Sequence, residues 1–527
     1  MAMSISATKL ARQTVRELLE LGICDFIISP GSRNAPLTIA LYEAAERGIA
    51  DLHVRLDERG AAFYALGVAK ASGQYAVVIC TSGTAVANYH PAALEAYHSD
   101  INLLFLTADR PARLRNSGAN QTTLQDGILA PLLTVDTATP VELREILVGG
   151  PVHLNLQFDE PLLDSDHGDW LAGFALQPLP DEGEVKESIE LRSSGVLIVG
   201  HDRAGFSIEA INEFADILDW PVIAEDLLSI SSALPHASLF LADPEIRSHL
   251  HAEEVIVIGR TTLSRSINSF IAEADRLIVI DPRVEYVDIE READLLLTAI
   301  PHVTKHATAQ EWDQIWIDAS SAAHSIIERD HSWSEHRALQ TITSQLPEDA
   351  ALFVGSSRPI RDIEGFTVFG NEISVFANRG LAGIDGNIAT AFGIATRFER
   401  SYAILGDLTF LHDISALANQ IDDDLTVFII DNNGGGIFST LPQSSVDGFE
   451  TIFGTPHNLD IEKIIHGFGI PVQKAKSESD LIQIIAAQPR GLHFVLVEVP
   501  SRQENAAALK EIYQRVASAV RIGINLA

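Results

Sequence analysis

The sequence predicts an α/β protein built from three doubly wound parallel-sheet domains. Three observations carry that expectation. Short apolar runs of strand length alternate with helix-length segments along the chain. The runs are nearly continuous in Val, Ile and Leu, as in strands buried on both faces, and do not alternate between polar and apolar. The chain has 527 residues, whereas one domain takes roughly 100–200.

The elements follow in order. The spacing of Leu10, Leu18, Leu19 and Leu21 predicts a first helix over 6–21. Strands are expected at Asp25–Ser29, His53–Leu56, Tyr75–Cys80, Ile101–Thr107 and Val152–Leu156. Residues 159–192 carry Pro, Gly and Asp with little periodicity and read as a linker. A second block has expected strands at Val196–Val199, Pro221–Ile223, Glu254–Ile258 and Arg276–Ile280. Residues 300–346 read as a mostly helical, polar connector. The third block has expected strands at Ala351–Val354, Ile373–Ala377, Tyr402–Leu405, Leu425–Ile430 and Phe494–Val499. The domain limits read as 1–190, 191–325 and 326–527.

Composition excludes several function classes. Lys and Arg number 37 against 72 Asp and Glu, a net charge of −35. Such a field repels nucleic-acid backbones and anionic membranes. No apolar run reaches the ~18 residues of a membrane span, and the N-terminus lacks a signal-peptide pattern. The expected location is the cytoplasm. Cys24 and Cys80 both adjoin apolar residues and read as buried thiols. Two cysteines build neither a zinc site nor a disulfide framework. The histidines show no metal-binding spacing such as HExxH. The turn Val199–Gly205 begins like a nucleotide loop but lacks GxGxxG, so the middle block reads as scaffold, with binding of a small-molecule regulator left open.

Ligands of open parallel sheets bind at the carboxyl ends of strands. Gly406-Asp407 follows Leu405, and Asp431-Asn432-Asn433-Gly434-Gly435-Gly436 follows Ile430. The separation of 25 positions from Asp407 to Asn432 equals one crossover, so the two end strands linked by one crossover helix. A carboxylate, an amide oxygen, a backbone carbonyl and two diphosphate oxygens suit octahedral Mg²⁺. The glycines let backbone approach phosphate closely.

GD followed at this distance by NN resembles the metal-diphosphate motif of thiamin diphosphate enzymes. Further motifs narrow the resemblance: Ser29-Pro30-Gly31-Ser32-Arg33-Asn34, Thr107-Ala108-Asp109-Arg110-Pro111, Ala119-Asn120-Gln121-Thr122, Asn378-Arg379-Gly380 and Asn432-Asn433-Gly434-Gly435-Gly436-Ile437-Phe438. Together they are similar to the 2-succinyl-5-enolpyruvyl-6-hydroxy-3-cyclohexene-1-carboxylate synthases of menaquinone biosynthesis. That family decarboxylates 2-oxoglutarate and adds the succinyl carbanion equivalent to isochorismate.

The resemblance implies residue roles. Glu58, opening a helix after a strand, would contact the aminopyrimidine ring, favour its imino tautomer and activate the cofactor. Asp407 and Asn432 would bind Mg²⁺ (or Mn²⁺) by side chain and Gly434 by its carbonyl; Gly31, Gly406, Ile384 and Ile437 would contact the cofactor. Ser32, Arg33, Arg110, Asn120, Gln121, Arg265, Ser357, Arg361, Arg379 and Phe438 would bind substrate. Arg33, Gln121, Arg361 and Arg379 join Glu58 as catalytic candidates. Both substrates carry two carboxylates, which arginine forks suit. Leu381-Ala382 stands where the family usually has a small polar residue, and Asp431 where asparagine is frequent. The family's cofactor site implies at least a homodimer. Two rival readings remain open: a simple 2-oxo acid decarboxylase or acetohydroxyacid synthase, and a non-catalytic thiamin diphosphate-binding regulatory protein.

Dianions must approach a protein of charge −35, and at physiological salt distant acids are screened beyond ~8 Å. Very low salt is therefore expected to raise the apparent KM values. Kinetics at two ionic strengths check this; KM values that fall at low salt would contradict it.

Overall fold

The structure, a computed structural model, describes residues 5–165, 168–178, 187–283, 292–303 and 310–526. Parts of the expected linker (166–167, 179–186) and of the expected connector (304–309), and the first four residues of the N-terminus, lie outside the described residues. The chain packs as two compact units. One comprises Met1–Glu182, Gly380–Phe398 and Leu411–Asp422; the other comprises Gly183–Arg379, Glu399–Phe410 and Asp423–Ala527.

The first unit holds β1 (Asp25–Ile28), β2 (Asp51–Val54), β3 (Ala76–Cys80), β4 (Leu103–Asp109), β5 (Leu133–Thr137) and β6 (Val152–Gln157). They form one parallel sheet in the order β2-β1-β3-β4-β6-β5. The central strands β1, β3 and β4 are buried along their whole length, which is why they read as unbroken apolar runs. The strand expected at His53–Leu56 lies two residues earlier, at the edge of the sheet, where burial does not fix the pattern; Leu56 is exposed. Sequence reading missed β5, another edge strand, whose LTVDT is mostly polar and half-exposed. Cys24 is exposed in the turn before β1, which corrects the expectation of two buried thiols; Cys80 is buried.

Helix Ala7–Glu20 starts at Ser6, whose hydroxyl accepts the Lys9 amide, and buries Leu10, Ala11, Thr14, Val15 and Leu18 along one face. Helix Glu58–Ser72 is capped by Asp57 and stops at Gly73, which adopts φ 68°. It is buried all round from Gly60 to Ala69 and lies against helix Asn387–Ala395, itself wholly buried. Backbones touch at their crossing. A Cβ on Gly67 would lie 2.1 Å from the Thr390 carbonyl oxygen, and one on Gly393 2.1 Å from that of Tyr64.

The second unit opens with β7 (Ser188–Ile189). It continues with β8 (Gly195–Val199), β9 (Val222–Ala224), β10 (Glu254–Ile258), β11 (Leu277–Ile280) and β12 (Leu295–Leu297), and β13 (His302–Val303) pairs β7. The middle sheet runs β12-β11-β10-β8-β9. The last contains β14 (Ala351–Val354), β15 (Ser374–Phe376), β16 (Ser401–Gly406), β17 (Leu425–Asp431), β18 (Val472–Ala475) and β19 (Leu492–Glu498), ordered β15-β14-β16-β17-β19-β18. All pairs among the described strands are parallel, the expected α/β class. The segment read as a polar connector is partly core. Helix Gln310–Glu328 packs on the C-terminal helix Arg502–Gly523 and buries Trp316, Ala319, Ala323 and Ile327. Trp316 meets Phe240, Phe270 and Trp312 edge-on. Its single-sided apolar stripe was diluted by acids on the exposed face.

Gly393→Val is expected to force the two buried helices of the first unit apart and to lower Tm, at a cost of at least ~1–3 kcal/mol. Thermal melting checks this; an unchanged Tm would contradict the backbone-contact packing.

Candidate active site

In the first unit, candidate side chains gather at strand ends. The chain leaves β1 through Ser29–Asn34, where Asn34 Nδ2 donates to the Ser29 carbonyl at 3.0 Å. A Cβ at Gly31 would fall 2.3 Å from the Thr81 Cβ, so only glycine fits beneath the end of β3. The buried Arg33 donates from its backbone to Thr81 Oγ1 (3.3 Å), from Nη1 to the Phe158 carbonyl (3.1 Å) and from Nη2 to Glu160 (3.4 Å). Arg110, just past β4, donates from Nη1 to Ser82 Oγ (2.8 Å) and to the Gln121 carbonyl (2.6 Å). Gln121 Nε2 returns a bond to the Ser82 carbonyl at 3.0 Å. Gln121 itself has φ 55°, a bend held by these bonds. Burial, then the neighbouring Arg33 guanidinium, hold Arg110 below the usual guanidinium range. Two cations so close favour an anion between them. Ser32 and Asn120 are exposed beside them.

Glu58 is half-buried at the first position of its helix, and its carboxyl makes no hydrogen bond or ion pair with the described residues. Its neighbours are fixed instead: Asp57 accepts the Arg59 amide and the Ser415 hydroxyl, and Arg59 donates to the His412 carbonyl at 3.0 Å. The loop after Arg379 is pinned by Glu95, which accepts the amides of Gly380 and Leu381 at 2.8 Å each. Leu381 points to solvent and Ile384 is half-buried. Sequence reading missed Glu95, the only acid on the alanine-rich helix His90–Ser99.

In the second unit, Asp407 and Asn432 end consecutive strands, as their spacing predicts, and the structure makes those strands adjacent. Asp407 is buried at the end of β16, directly after Gly406. Its Oδ2 accepts the Gly434 amide at 2.8 Å and its Oδ1 the Leu408 amide at 2.6 Å. Burial, with Asp431 nearby, pushes its carboxyl up to about 6. Gly434 has φ 134°, and a Cβ there would sit 2.2 Å from the Gly454 carbonyl oxygen. Its own carbonyl accepts the Gly436 amide at 2.9 Å and keeps a second lone pair. Asn432 Nδ2 donates to Glu335 Oε1, so the amide oxygen faces the other way, buried and without a partner. This donor set suits a hard cation: a buried carboxylate, an orphaned amide oxygen and a backbone carbonyl.

Two further groups stand beside them. Asp431 Oδ1 and Asp407 Oδ2 lie 3.8 and 3.3 Å from His457 Nε2. His457 Nδ1 accepts the Leu459 amide, which leaves Nε2 as the donor. Ligand atoms of Asp407, Asp431 and His457 fall within 4.8 Å of one another. Asp431 therefore faces the cluster and does not turn away. Sequence reading found neither His457, 50 residues from Asp407, nor Glu335.

Arg361 and Arg265 line a cavity of about 580 Å³ in the same unit, with Ile437, Glu364 and Tyr513. Helix Arg358–Phe366 begins at Ser357, whose φ is 78° and whose carbonyl accepts Arg361 Nη1 at 2.6 Å. Phe438 packs on Phe453 at 5.6 Å between ring centroids. Arg379, only 4% exposed, makes a two-point ion pair with Glu225 at 3.0 and 2.9 Å. Two of its donors are thus committed within the protein. Glu225 also escaped sequence reading, although the pair Glu225-Asp226 directly after an apolar strand was a visible signal.

Comparison with known proteins finds three family matches along the chain. Residues 8–129 match the family described as thiamine pyrophosphate enzyme, N-terminal TPP binding domain. Residues 173–354 match the middle domain of thiamine pyrophosphate, and residues 366–499 the C-terminal TPP binding domain of thiamine pyrophosphate enzymes. Three proteins named 2-succinyl-5-enolpyruvyl-6-hydroxy-3-cyclohexene-1-carboxylate synthase resemble the chain over nearly its whole length. That of a Nocardioides species is 36% identical, covering 96% of this chain and 97% of its own. That of Thermobifida fusca is 35% identical, covering 98% and 100%. That of Lysinibacillus sphaericus is 33% identical, covering 95% and 96%.

Proposed function

The chain belongs to the 2-succinyl-5-enolpyruvyl-6-hydroxy-3-cyclohexene-1-carboxylate synthase family, and from that premise we propose how its residues divide the work. The enzyme is a thiamin diphosphate-dependent transferase of menaquinone biosynthesis that decarboxylates 2-oxoglutarate and joins the succinyl unit to isochorismate, releasing CO₂. The plain decarboxylase and the non-catalytic binding protein are not favoured.

When bound, the cofactor supplies a thiazolium centre that stabilises the carbanion. The residues do the rest. Asp407 and Asn432 by side chain, and Gly434 by carbonyl, hold Mg²⁺ or Mn²⁺; Asp431 and His457 orient Asp407. The observation that carries this assignment is the amide oxygen of Asn432, unpaired among the described residues while Glu335 holds the amide nitrogen, at the end of the strand adjacent to that of the buried Asp407. Gly406 and Gly31 admit close approach of the cofactor, and Ile384 and Ile437 support its rings. Glu58, with no internal partner to satisfy it, holds a proton at the pyrimidine ring nitrogen. Arg33 and Arg110, bracketed by Ser32, Asn120 and Gln121, form one anion site. Arg361 and Arg265 form another in the cavity that Ile437 lines; Ser357, whose carbonyl holds Arg361, and Phe438 are assigned to substrate with them. Arg379, its charge matched by Glu225, contributes direction more than net attraction. The domain limits 1–190, 191–325 and 326–527 assign pyrimidine, middle and diphosphate-metal roles. The working form is a cytoplasmic homodimer or dimer of dimers acting on small molecules. No described helix is long and apolar enough to cross a membrane.

Glu58→Gln tests the activation role. Thiamin diphosphate affinity is expected to change little, while turnover falls by roughly 10²–10⁴. Cofactor titration and steady-state kinetics check both; unchanged turnover would remove Glu58 from the mechanism.

A further inference from the structure

The 580 Å³ cavity holds an acid that the assignment above leaves without a task. Glu364 is 3% exposed and lies three residues after Arg361 on helix Arg358–Phe366, on the same helical face. Its Oε1 is buried with no hydrogen-bond partner among the described residues, and the residue lines the cavity. Arg361 makes no ion pair with any described carboxylate, Glu364 included. The neighbouring arginines are already matched: Arg379 by Glu225, Arg358 by Asp362 and Glu335. An ionised Glu364 would face Glu225 and compete with any incoming carboxylate for Arg361. A protonated Glu364 has a donor to offer and leaves Arg361 uncompensated.

We propose that Glu364 is a specificity-determining residue of this site, present as the neutral acid and donating a hydrogen bond to a ligand carboxylate held by Arg361. The inference rests on the proposed assignment of Arg361 to a dicarboxylate substrate. It adds the group that keeps the cavity cationic in a protein of charge −35.

The charged surroundings set the pH at which this fails. Burial, then Glu225, push the Glu364 carboxyl up to about 8, while a hydrogen bond from Thr262 and the charges of Arg379 and Arg361 pull it down. Tyr513 faces it from the C-terminal helix, with Arg358 and Asp362 behind. Lys510 and Arg265 complete the titratable lining. Below pH about 8 Glu364 is a neutral donor; above it, a second buried anion repels the ligand.

The test uses the holoenzyme with two probes, 2-oxoglutarate for kinetics and glutarate, a dicarboxylate with no keto group to decarboxylate, for calorimetric binding. For the wild type, the 2-oxoglutarate KM and the glutarate Kd are expected to rise about tenfold across pH about 8, a loss the size of one charge-assisted hydrogen bond, with kcat changing less. Glu364→Gln, an uncharged isostere, is expected to bind within about threefold of wild type at neutral pH and to lose the alkaline rise. A flat wild-type profile, or a Glu364→Gln profile that keeps the rise, would overturn the proposal. Glutarate binding is read without turnover. Absent CO₂ release would therefore count against the assigned reaction, whereas a pH-independent glutarate Kd in an active enzyme would count against Glu364 alone.

Discussion

The active end of the last sheet is organised around one buried carboxylate. Asp407 ends β16 away from water and takes backbone amides on both oxygens. The loop after β17 is shaped to reach it: Gly434 takes a conformation and a proximity to Gly454 that no side chain permits. Asn432, in the same loop, has its amide turned by Glu335 so that its oxygen stays unpaired. Each arrangement costs stability in isolation. Together they set a buried carboxylate, an unpaired amide oxygen and a backbone carbonyl at the ends of adjacent strands, the donor set proposed above for a cation, and the neighbouring His457 hydrogen-bonds the carboxylate.

The second theme is how an acidic protein presents positive charge. Net charge acts at long range and is screened, so binding of dianions depends on which guanidiniums lack internal partners. In the second unit, Arg379 and Arg358 are matched by buried acids and Arg361 is not. In the first, Arg110 sits close enough to Arg33 to be strained electrostatically, with Asp109 and the exposed Glu160 opposite. Matched arginines provide fixed geometry; unmatched ones provide attraction.

Much of this was legible in the sequence, for a physical reason. Central parallel strands are buried on both faces, so β1, β3, β4, β16 and β17 appear as apolar runs, and whatever follows them lies at the ligand-binding edge. That logic placed Arg33, Asp407 and Asn432. It weakened at sheet edges: β2 slid by two residues and β5 disappeared into a polar stretch, because one-sided burial leaves no continuous run. It could not find Glu95, Glu225, Glu335 or His457, whose roles arise from contacts between segments distant in sequence. Arg379 shows the limit most clearly. Its position in the strand-end turn was evident, but its pairing with Glu225, 154 residues away, was not.

The most direct test of the account is CO₂ release from 2-oxoglutarate by the enzyme with thiamin diphosphate and Mg²⁺, with and without isochorismate. The account predicts rapid release only when isochorismate is present, with the succinyl adduct in the product mixture. Equal release without isochorismate, or none with it despite bound cofactor, would contradict it.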